Sequence, residues 1–159
     1  MASANTPIAS HNGHIYWAYI TNTREQRSLE KAGFTRFIRK DPLGLVFVIA
    51  PWNYPYLTTI NTLVPALIAG NAIVFKPSEK TPATAEMLVQ CFHRAGISAA
   101  VVQLLVGGPA EGQALVAHDG IDGVLFTGSA HTGIAINRKL ATRPDKIVAL
   151  EMGGNNPIV

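Results

Sequence analysis

From Leu43 onward the sequence alternates short apolar runs with segments of helical periodicity, and this alternation limits the possible folds more than any other feature. The apolar runs lack the polar–apolar alternation of a half-exposed strand, so we expect strands that are buried on both faces. Such strands, each followed by a helix, form parallel βαβ units with right-handed crossovers. The sequence therefore predicts an α/β fold, a doubly wound, mostly parallel sheet of about five strands with helices on both faces.

Turn and cap residues delimit the predicted elements. The predicted strands are Leu45–Ala50, Ala72–Phe75, Val101–Val106, Val124–Phe126 and Ile147–Leu150. The first helix is predicted over Leu57–Ala69 with Gly70 as its C-terminal cap. The next two helices begin at Pro82 and Pro109, and the fourth follows Ser129 as N-cap, with Ile134, Asn137 and Leu140 on one side. Residues 1–32 have no such rhythm and are predicted to be a tail, or a remnant of a preceding segment, in which Thr23–Lys31 is helical.

Composition excludes several classes of protein. Apolar residues make up 48% of the chain and charged residues 14%, which excludes a disordered, highly charged chain. The net charge of +3 is spread along the chain, and its longest basic cluster, Arg36–Lys40, is too small to indicate a nucleic-acid surface. Leu43–Trp52 is the longest apolar run and falls well short of the roughly 20 residues that span a bilayer. We expect a soluble, cytoplasmic protein without a signal peptide that binds small anions.

Polar and flexible residues follow each predicted strand, where an open parallel sheet binds its ligands. They are Pro51-Trp52-Asn53, Lys76-Pro77-Ser78-Glu79, Gly107-Gly108, Thr127-Gly128-Ser129 and Glu151-Met152-Gly153-Gly154. The segment from Gly128 to Gly133 joins a strand to a helix, and its helix N-terminus offers free N–H groups to a phosphate. A tight turn capped by serine explains the same segment. Neither a G-x-G-x-x-G fingerprint nor a G-x-x-x-x-G-K-[ST] phosphate loop occurs in the chain.

Four charged or amide side chains at these strand ends have two interpretations each. Lys76 and Glu79 suit a nucleotide ribose, which a lysine and a carboxylate both hydrogen-bond, or they form a solvated pair. Asn53 suits an oxyanion, to which its amide donates, or it caps a turn. Glu151 suits a general base on a flexible loop, or it is structural.

The single cysteine, Cys91, excludes an internal disulfide framework and favours a reducing compartment. It lies on the predicted apolar stripe of the second helix with Met87 and Leu88, so we expect a buried, unreactive thiol. The five histidines have no metal-ligand spacing, and no metal site is predicted.

Five motifs in order carry a family resemblance. They are Ala50-Pro51-Trp52-Asn53-Tyr54-Pro55, Pro65-Ala66-Leu67 with Ala69-Gly70-Asn71, Lys76-Pro77-Ser78-Glu79, Phe126-Thr127-Gly128-Ser129 and Leu150-Glu151-Met152-Gly153-Gly154-Asn155-Asn156-Pro157. From about Gly33 to Val159 the chain resembles the Rossmann-like cofactor domain of the NAD(P)-dependent aldehyde dehydrogenase superfamily. The form of the last motif is closest to the succinylglutamate-semialdehyde branch.

The resemblance implies roles for particular residues. It makes residues 33–159 an NAD-binding domain in which Glu151 is the general base and Asn53 stabilises the oxyanion. A carboxylate at Glu79 would repel a 2′-phosphate, so NAD is favoured over NADP. The implied cofactor contacts are Trp52, Lys76, Ser78, Glu79, Gly112, Gly128, Ser129 and Gly133.

The resemblance also implies what these residues lack. The family's nucleophilic cysteine belongs to a separate catalytic domain, some thirty-odd residues beyond the position of Glu151, and Cys91 matches no catalytic position. We therefore expect NAD-dependent oxidation of an aldehyde by the complete enzyme, a homo-oligomer, with this chain inactive alone. The alternative is a stand-alone nucleotide-binding or regulatory module, or one subunit of a split enzyme.

Overall fold

A computed structural model describes residues 41–154 of the chain. The strands are β1 (Leu45–Ile49), β2 (Ala72–Lys76), β3 (Val102–Leu104), β4 (Gly123–Gly128) and β5 (Ile147–Met152), and the helices are α1 (Pro55–Ile68), α2 (Pro82–Arg94), α3 (Pro109–Ala117) and α4 (Ala130–Leu140). The predicted helix over Thr23–Lys31 lies outside the described residues, as does the predicted tail.

The five strands form one parallel sheet in the order β3-β2-β1-β4-β5. α1 and α2 cover one face, where Leu63 and Leu88 pack on Val46 and Phe75. α3 and α4 cover the other face, where their buried residues pack around Phe47. The predicted doubly wound sheet with helices on both faces is confirmed.

The predicted caps are also confirmed. Gly70 has φ +90°, and the N–H groups of Gly70 and Asn71 donate to the carbonyls of Leu67 and Ala66. This pair of hydrogen bonds is the Schellman arrangement that ends α1. At the start of α4, the Ser129 hydroxyl accepts a hydrogen bond from the backbone N–H of Thr132 at 3.2 Å.

The predicted faces of two helices are wrong in part, although Leu88 on α2 is buried as predicted. Cys91 and Met87 are exposed on α2, whose buried stripe is Ala85, Leu88 and Val89. Ile134 and Asn137 are exposed on α4, where Gly133 and Ile136 are buried with the correctly predicted Leu140. In both helices the residues that contact the sheet form a stripe that is rotated about the helix axis. It does not coincide with the stripe formed by the most apolar residues.

The entry into β1 depends on two side chains from other elements. The Asp122 carboxylate accepts the Leu45 N–H at 2.7 Å. The Asn71 amide oxygen accepts the N–H groups of Leu43 and Gly44 at 2.7 and 3.1 Å, and its NH₂ donates to the Ala66 carbonyl. These bonds fix β1 beside β2 and β4 and thereby set the alignment of their carboxyl ends.

Gly44→Ala is expected to destabilise the fold more than Gly96→Ala. Gly44 has φ +123°, and an added Cβ would collide with the Asp122 carboxylate, whose Cγ would be 3.0 Å away. Gly96 has φ +93° and no atom within 4 Å of an added Cβ. Alanine at this position therefore measures only the free-energy cost of a positive φ in a residue with a side chain. We expect losses of about 3 and about 1 kcal/mol in the free energy of unfolding, measured by urea denaturation. Equal losses would mean that the Asp122 contact is unimportant.

None of the helices within residues 41–154 is long and apolar enough to cross a membrane.

Candidate functional site

The strand order reverses between β1 and β4, which are neighbours in the sheet although two βα units separate them in sequence. From β1 the chain winds outward through β2 to β3, and from β4 outward to β5. Loops that leave the carboxyl ends of β1 and β4 therefore diverge to opposite faces and leave a crevice between them. The predicted site residues from β1, β2, β4 and β5 all lie at this edge of the sheet, which we call the carboxyl edge.

Lys76 is the last residue of β2 and is 6% exposed. Its side chain turns towards α3, where an added Cβ on Gly112 would lie 3.6 Å from its Cδ and Cε. The ammonium donates to the Pro77 carbonyl at 3.2 Å. This is its one hydrogen bond to the described residues, so a buried cation with three N–H donors keeps two of them for a ligand.

The turn after β2 exposes Glu79 and Lys80. The Ser78 hydroxyl accepts the Lys80 N–H at 3.3 Å, and the Ser78 carbonyl accepts the Thr81 N–H at 3.1 Å. The Thr81 hydroxyl is buried and has no hydrogen-bond partner among the described residues. The turn that follows Lys76 therefore carries a carboxylate, an ammonium and a hydroxyl without a partner among the described residues.

The start of α3 adds another carboxylate to the same side. Glu111 accepts the Gly108 N–H at 2.7 Å. Hydrogen bonds from the backbone of Glu111 and of Gly108 hold the pKa of the Glu111 carboxyl below its ordinary value, and the nearby Lys76 charge acts in the same direction. The negative charge of Glu111 thus orders the Gly107-Gly108 loop beside Lys76.

Acid is expected to loosen this loop. The pKa of Glu111 is lower in the folded state than in the unfolded chain, so its contribution to stability is present at neutral pH and disappears as the pH falls through the folded value. Glu111→Gln should therefore flatten the decline of stability below about pH 4.5. Thermal unfolding at several pH values measures the effect, with Glu86→Gln as the exposed control. Identical pH profiles for wild type and Glu111→Gln would contradict this prediction.

The loop from β1 to α1 carries Trp52 and Asn53, both exposed. Tyr54, the N-cap of α1, has φ 51° and turns the chain into the helix. The Asn53 amide has no hydrogen bond to the described residues. The alternative interpretation of Asn53, a side chain that caps the turn, therefore has no support among these residues. The Lys80 ammonium lies 5.3 Å from the centre of the Trp52 ring and links this loop to the turn after β2.

The glycines near the end of β4 are packed closely. An added Cβ on Gly128 would lie 2.6 Å from Cζ of Phe126. One on Gly133 would lie 2.8 Å from Cγ of Met152, so α4 rests directly on the end of β5. Close packing is a sufficient reason for glycine at both positions, and Ser129 between them caps the helix. Contact of Gly128, Ser129 and Gly133 with a cofactor stays a prediction.

Glu151 lies within β5, opposite Thr127 of β4, rather than on a flexible loop as predicted. Pairing with β4, which extends to Gly128, continues the strand two residues beyond its apolar run. Because side chains alternate along a strand, Glu151 shares the sheet face of Ala149, which packs in the α1–α2 core. Asn53 precedes α1 on this same face, whereas Lys76 turns to the α3 face. The two predicted catalytic residues and the lysine therefore lie on opposite faces of one edge.

The donor set fits a nucleotide better than a metal ion. Lys76 and Thr81 retain hydrogen-bonding capacity suited to ribose and phosphate oxygens. Among residues 41–154, no group of three His, Cys, Asp or Glu side chains is placed to hold a metal. Cys91, nine residues into α2, is about 14 Å along the axis from the end that begins at the carboxyl edge.

Comparison with known proteins agrees with this architecture. The sequence profile described as "Aldehyde dehydrogenase family" matches residues 2–159. The chain belongs to this family. The N-succinylglutamate 5-semialdehyde dehydrogenase of Novosphingobium aromaticivorans is 70% identical over 143 residues, which are 89% of this chain and 30% of that protein. The enzyme of the same name from Sphingopyxis alaskensis is 53% identical over 142 residues, with the same two shares.

Solved structures of this aldehyde dehydrogenase family have the same fold. An indole-3-acetaldehyde dehydrogenase in its apo form has a TM-score of 0.79 and 33% identity, and the match covers 91% of this chain and 34% of that one. An NAD-dependent aldehyde dehydrogenase from Sinorhizobium meliloti has a TM-score of 0.76 and 32% identity, covering 91% and 30%. The chain thus spans about 30% of the length of the curated relatives it matches.

Proposed function

We propose that the protein carrying this chain oxidises an aldehyde to a carboxylic acid with NAD, and that residues 33–159 are its NAD-binding domain. The observation that carries the proposal is the carboxyl edge itself, at which Lys76, Glu79, Asn53 and Glu151 all lie and where the strand order reverses. Membership of the aldehyde dehydrogenase family supports the reaction class. The proposal extends to a cytoplasmic, homo-oligomeric enzyme.

Each side chain has a task in this proposal. Lys76 and Glu79 hold the adenosine ribose, with Trp52, Ser78 and the Gly112 surface around them. NAD, when bound, accepts the hydride that leaves the oxidised carbon.

The catalytic tasks fall to the residues on the α1 face. The Asn53 amide donates to the oxyanion that forms when a thiolate attacks the aldehyde. The Glu151 carboxylate takes a proton from the water that releases the acid. These tasks leave the nucleophile to a cysteine outside the 159 residues.

The proposed substrate is N-succinylglutamate 5-semialdehyde. The support is the name shared by the relatives at 70% and 53% identity, together with the Glu-Met-Gly-Gly-Asn-Asn-Pro motif. The test is NADH formation by the full-length protein with this semialdehyde and with an uncharged aldehyde of similar length. Faster turnover of the uncharged aldehyde would contradict the substrate assignment.

One observation favours a second function for the 159 residues alone. Cys91 is their only cysteine, and it is exposed on α2 away from the carboxyl edge. Without a thiol near Asn53, these residues would act as a nucleotide-binding module or as a subunit completed by a cysteine-bearing chain. NAD binding without dehydrogenase activity supports the module, and activity that appears only on mixing supports the subunit.

Glu79→Ala is expected to change the choice of cofactor. The exposed carboxylate accepts hydrogen bonds from the ribose hydroxyls of NAD and repels the 2′-phosphate of NADP. Its removal should weaken NAD binding about tenfold and NADP binding much less, as measured by calorimetric titration of the chain. Glu86→Gln, on the exposed surface of α2, is the control. Equal losses for both nucleotides would show that Glu79 does not contact the ribose.

A further inference from the structure

Positive charge is distributed unevenly over the described part of the chain. Arg94, Arg138 and Lys139 lie in the last turns of α2 and α4, and Arg143 and Lys146 lie between α4 and β5. All five are at the end of the sheet opposite the carboxyl edge. Among the described lysines and arginines, only Lys76 and Lys80 are at the carboxyl edge.

These two lysines differ in burial and in the groups that hold their ammonium groups. Lys76 is nearly buried, with its stem against Gly112 and its ammonium on the Pro77 carbonyl. Lys80 is exposed, and its one contact through the ammonium within the described part of the chain is with the face of the Trp52 ring, 5.3 Å from the ring centre. A cation–π contact at an exposed site is weak, so a phosphate can take the ammonium from the ring.

The position of Lys80 in the turn places it closer to the adenosine ribose than to the rest of a dinucleotide bound as proposed. It directly follows Glu79, the residue proposed to contact the adenosine ribose, and its side chain extends from the same exposed turn. A phosphate on the ribose 2′-oxygen would meet the Glu79 carboxylate and, one residue away, the exposed Lys80 ammonium. Attraction by the second charge offsets repulsion by the first.

We propose that Lys80 binds the 2′-phosphate of NADP, so that the chain accepts NADP as well as its preferred NAD. This inference rests on the proposed function, because it assumes that a nicotinamide dinucleotide occupies the carboxyl edge. Trp52 holds the ammonium near the site when the phosphate is absent. Lys80 is therefore a specificity-determining residue: it favours binding of NADP, whereas Glu79 disfavours it.

Calorimetric titration of the 159-residue chain with NAD and with NADP tests this role. Lys80→Met should raise the Kd for NADP about tenfold and the Kd for NAD less than twofold, since only NADP carries the 2′-phosphate. Lys80→Arg keeps the positive charge and should retain most of the NADP affinity. Lys139→Met removes the same charge from the far end of α4 and should change neither Kd by more than about twofold.

The outcomes separate the inference from the proposed function. A wild-type chain that binds NAD but not NADP overturns the role of Lys80 and leaves the proposed function intact. The role of Lys80 is also overturned if Lys80→Met weakens both nucleotides equally, or if Lys139→Met reproduces its effect. A wild-type chain that binds neither nucleotide overturns the proposed function and this inference together. Higher salt should weaken NADP binding to wild type more than to Lys80→Met.

Discussion

Glu151→Gln in the full-length protein is expected to lower steady-state aldehyde oxidation about 100-fold or more while preserving a first burst of NADH. Glutamine keeps the size of the side chain and its place opposite Thr127 in β5, but it cannot take a proton from water. Hydride transfer precedes the step that needs this base, so each site forms one NADH and then stalls. Stopped-flow absorbance of NADH measures the burst and the steady state in one experiment.

The control for this variant is Glu86→Gln. Glu86 is exposed on α2, and its carboxylate accepts a hydrogen bond from Gln90 at 3.4 Å. The substitution removes the same charge away from the carboxyl edge and should leave both phases unchanged. Unaltered steady-state turnover in Glu151→Gln would contradict the assignment of Glu151 as the base, and loss of the burst as well would assign it to an earlier step.

Lys76→Met is expected to weaken NAD binding by the chain roughly 10- to 100-fold, the effect of losing a hydrogen bond to a charged donor. Methionine retains an unbranched stem against Gly112 but has no N–H groups for a ligand. Among residues 41–154 the Lys76 ammonium has a single acceptor, the Pro77 carbonyl. Stability should therefore change little, and calorimetric titration with NAD should register the loss.

The chain offers a matched control in Lys146, which is also buried. Its ammonium donates to the backbone carbonyls of His118, Asp119 and Ile121 after α3, at the opposite edge of the sheet. Lys146→Met should lower the free energy of unfolding by about 2 kcal/mol, because it removes the donor that these three carbonyls share. NAD affinity of the folded protein should not change. If Lys76→Met and Lys146→Met change the free energy of unfolding and the NAD affinity by the same amounts, Lys76 is not a residue that binds NAD.

The strands and the edge where the site lies were predictable from the sequence. Unbroken apolar runs such as Leu45–Ala50 have few alternatives to a strand buried on both faces. Once parallel strands are assigned, chain direction alone brings residues such as Asn53 and Lys76 to one edge. Strand ends were less certain, because pairing with β4 extends β5 through Glu151 without any apolar signal.

The helix faces were harder to predict because apolar residues are not confined to the core. Ile60 and Ile68 of α1 are 40% and 55% exposed, whereas Thr59 is fully buried. Periodicity identifies a helix, but the sheet that it covers decides which stripe is buried. Exposure of Cys91 has the same cause, since the buried stripe of α2 runs through Leu88 and Val89.

Three residues near the site have no distinctive signal in the sequence. Lys80 and Thr81 follow the Lys76–Glu79 segment directly, and Glu111 lies in the first turn of α3. Each looks like an ordinary turn or first-turn residue, and only the fold brings Lys80 to Trp52 or Glu111 to Lys76. The one feature of the sequence that could indicate a role for these residues is that they follow the carboxyl end of a predicted strand.

A crystal structure of the chain grown with NAD would show directly whether the carboxyl edge binds the dinucleotide. We expect the adenosine ribose between Lys76 and Glu79 and the remainder of the dinucleotide across the crevice beside β1 and β4. An ordered dinucleotide at the opposite edge, or a carboxyl edge without nucleotide at saturating NAD, would contradict this expectation.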